Sequence, residues 1–169
     1  MKLKFLRGLL AACVLALQGT LVLDSARGTR RVAAADYFQG LFTTARQDDE
    51  LLVACELPVQ APGERQHFSE LARRHGDYAV AGLAACARPA GGRLHEVRLA
   101  FLSLGDRPLR APKTEAVLMA GVLDAGRLAA AEAALRAELD PFADLTHSAA
   151  AKKQLAATLM RRAVAALAA

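Results

Sequence analysis

The alternation and periodicity of apolar positions divide the chain into a mixed first third, a middle of strands and a final third of helices. The apolar run from Leu9 to Leu17, ended by Gln18-Gly19-Thr20, predicts a buried helix leading into a strand over 20–24. Leu21-Val22-Leu23, polar residues 24–29 and Arg30-Arg31-Val32 make a hairpin pattern with Gly28 in the turn. Asp36 is placed to cap a helix with the stripe Tyr37, Phe38, Leu41 and Phe42, ending by Thr44. Leu51 to Leu57 predicts a strand that Pro58 terminates, and residues 58–63 read as a linker. The expected domain boundary falls there, dividing the chain into 1–60 and 61–169.

The second block opens with an apolar–polar stretch over 68–73 and a polar corner at His75-Gly76-Asp77. Residues 78–87 and 94–104 predict two strands joined by a turn at Pro89-Ala90-Gly91-Gly92. A proline-punctuated connection follows over 105–112, and three helices close the chain. The first is expected over 114–122 with Thr114 as its cap, the second over 124–139 with the stripe Leu128, Ala131, Leu135 and Leu139. Asp140-Pro141 breaks the second. The third starts near Ser148, with Leu155, Leu159, Ala163 and Leu167 inside and Lys152, Lys153 and Arg161 largely outside. Strands first and helices after give an α+β class.

The composition fits a chain that buries a core: 54% of the 169 residues are hydrophobic and 23% charged, which excludes disordered and low-complexity classes. The net charge is +5, but the basic residues stand as scattered pairs among acids, without the aromatic-laced basic stripe of a nucleic-acid binder. No partner nucleic acid is expected. Lys2, Lys4 and Arg7 ahead of the apolar run also fit a secretory signal, so the amino terminus has two readings: leader or buried helix. The run is too short to span a bilayer. Cys13, Cys55 and Cys86 form neither a disulfide framework nor a metal-ligand spacing, and are expected as reduced thiols.

Catalytic motifs are absent. His67, His75, His95 and His147 lack any nucleophile-elbow or zinc-helix context, and neither a P-loop nor a dinucleotide fingerprint occurs. His147 with Asp144 reads as a capping cluster ahead of Ser148, and Asp48-Asp49-Glu50 as a solvated turn. The strongest local cluster is Ala72-Arg73-Arg74-His75-Gly76-Asp77-Tyr78-Ala79. Glycine allows a tight path, Asp77 accepts hydrogen bonds and Tyr78 offers a flat amphipathic ring, a combination suited to a planar hydrogen-bonding ligand. The same residues also suit a purely structural turn, with Asp77 capping and Tyr78 packed.

Taken in order, Arg30-Arg31-Val32, Asp36-Tyr37-Phe38, residues 49–58, Arg73 to Ala79, residues 105–111 and the series Asp140-Pro141, Ser148-Ala149 and Arg161-Arg162-Ala163 resemble one family. It is the FAD-binding medium subunit of the molybdenum hydroxylases, the xanthine dehydrogenase and carbon monoxide dehydrogenase family. The resemblance implies the end of a FAD-binding α+β domain followed by a three-stranded antiparallel sheet on a three-helix bundle. It implies FAD as cofactor, with Arg74, Gly76, Asp77 and Tyr78 in the segment nearest the flavin. As partners it implies a molybdopterin-binding large subunit and an iron–sulfur small subunit, with electrons relayed between the clusters and FAD, and no membrane.

Two glycine-rich diphosphate loops of the family have no counterpart in this sequence, so FAD binding by the chain alone is expected to be incomplete. Thr146-His147 stand where the family has Arg-Gly, and Ala151 where it has an aromatic residue. Because the resemblance places residues 14–24 inside the domain, it favours a cytoplasmic chain over a secreted one. The competing functional expectation is a non-catalytic interaction module that retains only the C-terminal domain.

Overall fold

A computed structural model describes residues 3–74 and 77–169. Helix α1 (Leu3–Ala16) leads through a left-handed Gln18 into β1 (Thr20–Ser25), which turns at Gly28 into β2 (Gly28–Ala33). Gly28 has φ +115°, a conformation glycine adopts without strain, and the strands pair from Thr20↔Ala33 to Ser25↔Gly28. Strand β5 (Leu51–Glu56) joins the other side of β1, so this sheet has the order β2-β1-β5. The expected helix over 36–44 is instead one turn, α2 (Ala34–Tyr37), followed by β3 (Phe38–Gly40) and β4 (Thr43–Thr44). Asp36 lies inside that turn and caps nothing; Ala33 occupies the cap position without a side-chain hydrogen bond. Gly40, Phe42 at φ +58° and two β-branched threonines break the helical path and make a tight hairpin.

The second sheet has the order β6-β7-β8-β9, built from β6 (Arg65–Ala72), β7 (Ala79–Ala90), β8 (Arg93–Leu102) and β9 (Leu109–Arg110). The three long antiparallel strands match the expected sheet, and β9 adds a two-residue edge from the connection. Strand β7 runs through Pro89, which pairs with Leu94, so the turn is shorter than expected. It consists of Gly91 and Gly92, with φ +57° and +71°, the primed turn that fits strand twist.

Strand β7 is apolar on both faces because both are covered. Ala81, Leu83, Ala85 and Ala87, with Val97, Leu99 and Phe101 of β8, face the helices α3 (Pro112–Met119), α4 (Ala125–Glu138) and α5 (Ala149–Ala168). The alternate residues Ala84, Cys86, Ala100 and Leu102 pack against Ala12, Leu15 and Ala16 of α1 and Leu21 and Leu23 of β1. Small residues bring helices close to the sheet. At Gly82 an added Cβ would stand 2.6 Å from Leu102 Cδ2.

The helix ends follow local chemistry. Asp124 accepts from the Arg127 N–H at 2.7 Å and Ser148 from the Ala151 N–H at 3.1 Å, the caps their residue types favour. Thr114 is buried and does not cap α3; Ala111 stands at the cap and Pro112 starts the helix. The exposed donors of that terminus go to Glu138 of α4, which accepts from Lys113 N–H, Thr114 N–H and Thr114 Oγ1 at 2.9–3.0 Å. Glu115 is buried at the other edge, accepting from Leu99 N–H and, in a fork, from Arg110. No helix among the described residues is long and apolar enough to cross a membrane.

Candidate functional site

Strand β6 ends at Ala72 and β7 begins at Ala79, and their connection carries the corner singled out in the sequence. Asp77 shapes it. Its N–H donates to the Arg74 carbonyl at 3.1 Å, its Oδ1 accepts from Tyr78 N–H at 2.9 Å, and its Oδ2 accepts from the Arg73 guanidinium at 3.3 Å. With both carboxylate oxygens engaged, the backbone turns so that the Tyr78 side chain faces outward, 60% exposed. Arg74 contributes its carbonyl to the corner and does not line the adjoining groove. Gly76 and His75 lie outside the described residues.

The opposite wall comes from the segment between α4 and α5. There Asp144 gathers donors: Thr146 N–H, Thr146 Oγ1 and His147 N–H at 2.8 Å on Oδ1, and Lys152 Nζ at 2.8 Å on Oδ2. The Lys152 ammonium first, and the Thr146 and His147 donors after it, hold the Asp144 carboxyl well below the usual carboxylate range. Lys152, expected outside the α5 stripe, is therefore buried, because its stem runs along the helix to a fixed anion. The Thr146 hydroxyl also lies 2.8 Å from His147 Nδ1. Asp144 and His147 had been legible as a capping cluster; the reach of Lys152, one turn inside α5, had no local signal.

Between these walls lies an open groove of about 380 Å³, with Arg73 and residues 77–80 on one side and residues 144–147 on the other. Asp77 and Asp144 are both supplied with donors from within the protein, so they fix the walls. The Tyr78 ring offers a flat amphipathic face, and the Thr146–His147 pair offers polar atoms opposite. A planar ring system with a hydrogen-bonding edge fits that arrangement. A diphosphate finds no matching cradle among the described residues, because the left-handed glycines Gly28, Gly63, Gly91 and Gly92 all sit away from the groove. The residues present thus suit the ring end of FAD.

The remaining candidates have structural roles. Glu50, expected in a solvated turn, is buried and forked by Arg30 at 2.8–2.9 Å; the Arg30 bonds, then the Gln47 N–H, pull its carboxyl down to about 2. Asp49 pairs with Arg27 at 2.9 Å. His95 is exposed on β8. The three cysteines are unpaired thiols, and burial raises the pKa of Cys13 and Cys86. Among the described residues no three His, Cys, Asp or Glu side chains are grouped as a metal site.

The fold is thus an α+β domain with an antiparallel sheet covered on both faces and an open groove walled by Tyr78 and by residues 144–147. Residues 66–167 match the CO dehydrogenase flavoprotein C-terminal domain, and residues 8–60 match the FAD binding domain in molybdopterin dehydrogenase. The chain belongs to the CO dehydrogenase flavoprotein C-terminal domain family. It is 38% identical over 100 residues to the glyceraldehyde dehydrogenase medium chain of Sulfolobus acidocaldarius, covering 59% of this chain and 35% of that one. It is 34% identical over 142 residues to the carbon monoxide dehydrogenase medium chain of Afipia carboxidovorans, covering 84% and 49%. The structure superimposes on carbon monoxide dehydrogenase from Hydrogenophaga pseudoflava with a TM-score of 0.88 at 30% identity, over 93% of this chain and 55% of that one. Quinoline 2-oxidoreductase from Pseudomonas putida 86 gives 0.83 at 30% identity, again over 93% and 55%. The chain spans about a third to a half of the length of these two medium chains.

Proposed function

We propose that this chain forms the flavin-facing part of a medium subunit in a molybdenum hydroxylase complex, with residues 1–60 as its FAD-domain portion and residues 61–169 as its C-terminal domain. Tyr78 provides a face for the flavin ring, Asp77 fixes the corner that presents it, Arg74 gives that corner its carbonyl, the sequence adds Gly76 to this set, and the wall over 144–147 contacts the ring edge. The observation that carries this reading is the exposed Tyr78 ring facing the Asp144-organised wall across an open groove, in a chain of the flavoprotein C-terminal domain family. Bound FAD would supply exchange of one or two electrons; this chain's residues hold and orient the ring and fix the charge around it. The partners are an iron–sulfur small subunit that passes electrons to the flavin and a molybdopterin-bearing large subunit. The setting is the cytoplasm, in keeping with three free thiols.

The test is recovery of the tagged chain from the organism that makes it, followed by flavin absorbance and by iron and molybdenum analysis of the eluate. Flavin, iron and molybdenum co-eluting with the chain support the reading. A chain that elutes with none of them contradicts it.

A further inference from the structure

We propose that His147 is a specificity-determining residue of the groove: its Nε2 accepts a hydrogen bond from an N–H donor on the edge of the planar ligand. This deepens the flavin reading and rests on it, the donor there being the imide N–H at ring position N3. Proton positions in the 144–147 wall follow from its acceptors. Asp144, kept ionised by the Lys152 ammonium first and the Thr146 and His147 donors after it, only accepts. Thr146 Oγ1 lies 2.8 Å from Asp144 Oδ1, so its single hydroxyl proton points at the carboxylate. The same oxygen lies 2.8 Å from His147 Nδ1, and with its proton committed it accepts there. His147 Nδ1 therefore carries hydrogen, and the Asp144 carboxylate 3.6 Å away favours that polarity.

The reverse tautomer would set two lone pairs against each other at 2.8 Å or strip the carboxylate of its hydroxyl donor. In a neutral imidazole with hydrogen on Nδ1, Nε2 keeps its lone pair and is an acceptor. His147 lines the groove on the side opposite Tyr78, and among the described residues no hydrogen bond reaches its Nε2. The charges around the groove are closed on one another: Arg73 pairs with Asp77 at 3.3 Å and Lys152 with Asp144 at 2.8 Å. Tyr78 thus offers a face without charge selectivity, and the fixed imidazole adds a directional contact at the ring edge. A site that presents a held acceptor rejects an analogue lacking the matching N–H, because the acceptor is then left unpaired.

Two measurements on the full chain at about pH 8, where an imidazole is neutral, test this. Long-range proton–nitrogen NMR of the His147 ring is expected to show hydrogen on Nδ1 without any ligand, and Thr146→Val to give mixed tautomers. Fluorescence titration with riboflavin and with N3-methylriboflavin is expected to favour riboflavin by about tenfold. His147→Leu should bind both flavins alike, and His147→Gln, whose amide oxygen also accepts, should restore the preference. Hydrogen on Nε2 of the neutral ring, equal binding of the two flavins by the wild type, or a preference that His147→Leu keeps would each overturn this inference and leave the flavin reading standing. A wild type that binds neither flavin would overturn both.

Discussion

Glu50 and Asp144 are carboxylates that their neighbours keep ionised, and their consequences are read by titration. A carboxyl whose pKa is lower folded than unfolded adds stability above its unfolded value and loses that contribution as pH falls toward its folded value. For Glu50 the window runs from about 4.5 down to about 2. The melting temperature of the wild type should therefore fall through that range, and Glu50→Gln should start lower at pH 6 and fall less steeply; parallel curves would mean Glu50 carries no linkage. Asp144→Asn should release the donors of the 144–147 wall, so that amide exchange at Thr146 and His147 rises while exchange in β7 stays unchanged. Of these roles the sequence showed only part. Asp144 with His147 read as a capping cluster ahead of Ser148, but Glu50 read as solvated, because its Arg30 partner lies twenty residues away on β2, across β1.

Element by element, local chemistry was legible wherever one segment decides its own fate. The hairpin through Gly28, the starts of the last two helices at Asp124 and near Ser148 and the stripe Leu159, Ala163 and Leu167 all follow from composition and spacing. Where a distant group decides, the sequence misled. Thr114 looked like a cap, yet Glu138 of α4 satisfies that terminus from 24 residues away. The short helix after Asp36 gave way to the β3–β4 hairpin because Gly40 and the left-handed Phe42 favour a turn that apolar periodicity does not register. Tight packing across the sheet gives a clear prediction. Gly82→Ala forces Leu102 aside and should cost about 1–3 kcal/mol in urea unfolding. Leu159→Ala, which opens a cavity between α5 and β7, should cost about 2–5 kcal/mol.

At the scale of the molecule, the amino-terminal segment and the second sheet are not independent. Arg98 of β8 donates to the Ala16 carbonyl at the end of α1 at 2.8 Å and pairs with Glu64, both groups largely buried. Arg98→Leu leaves Glu64 without its partner and should destabilise the fold by about 3 kcal/mol. The apolar excess of the composition has its explanation here: one sheet is packed on both faces. The proposed flavin contact at Tyr78 is open to titration of the purified chain with riboflavin, FMN and FAD, read by flavin fluorescence. On the proposal that the Tyr78 groove takes the ring, with no diphosphate cradle among the described residues, the three flavins should bind within about threefold of one another, and Tyr78→Ala should weaken all three at least tenfold. Flavin binding that Tyr78→Ala leaves unchanged, or no binding of any flavin, would rule out a flavin face at Tyr78.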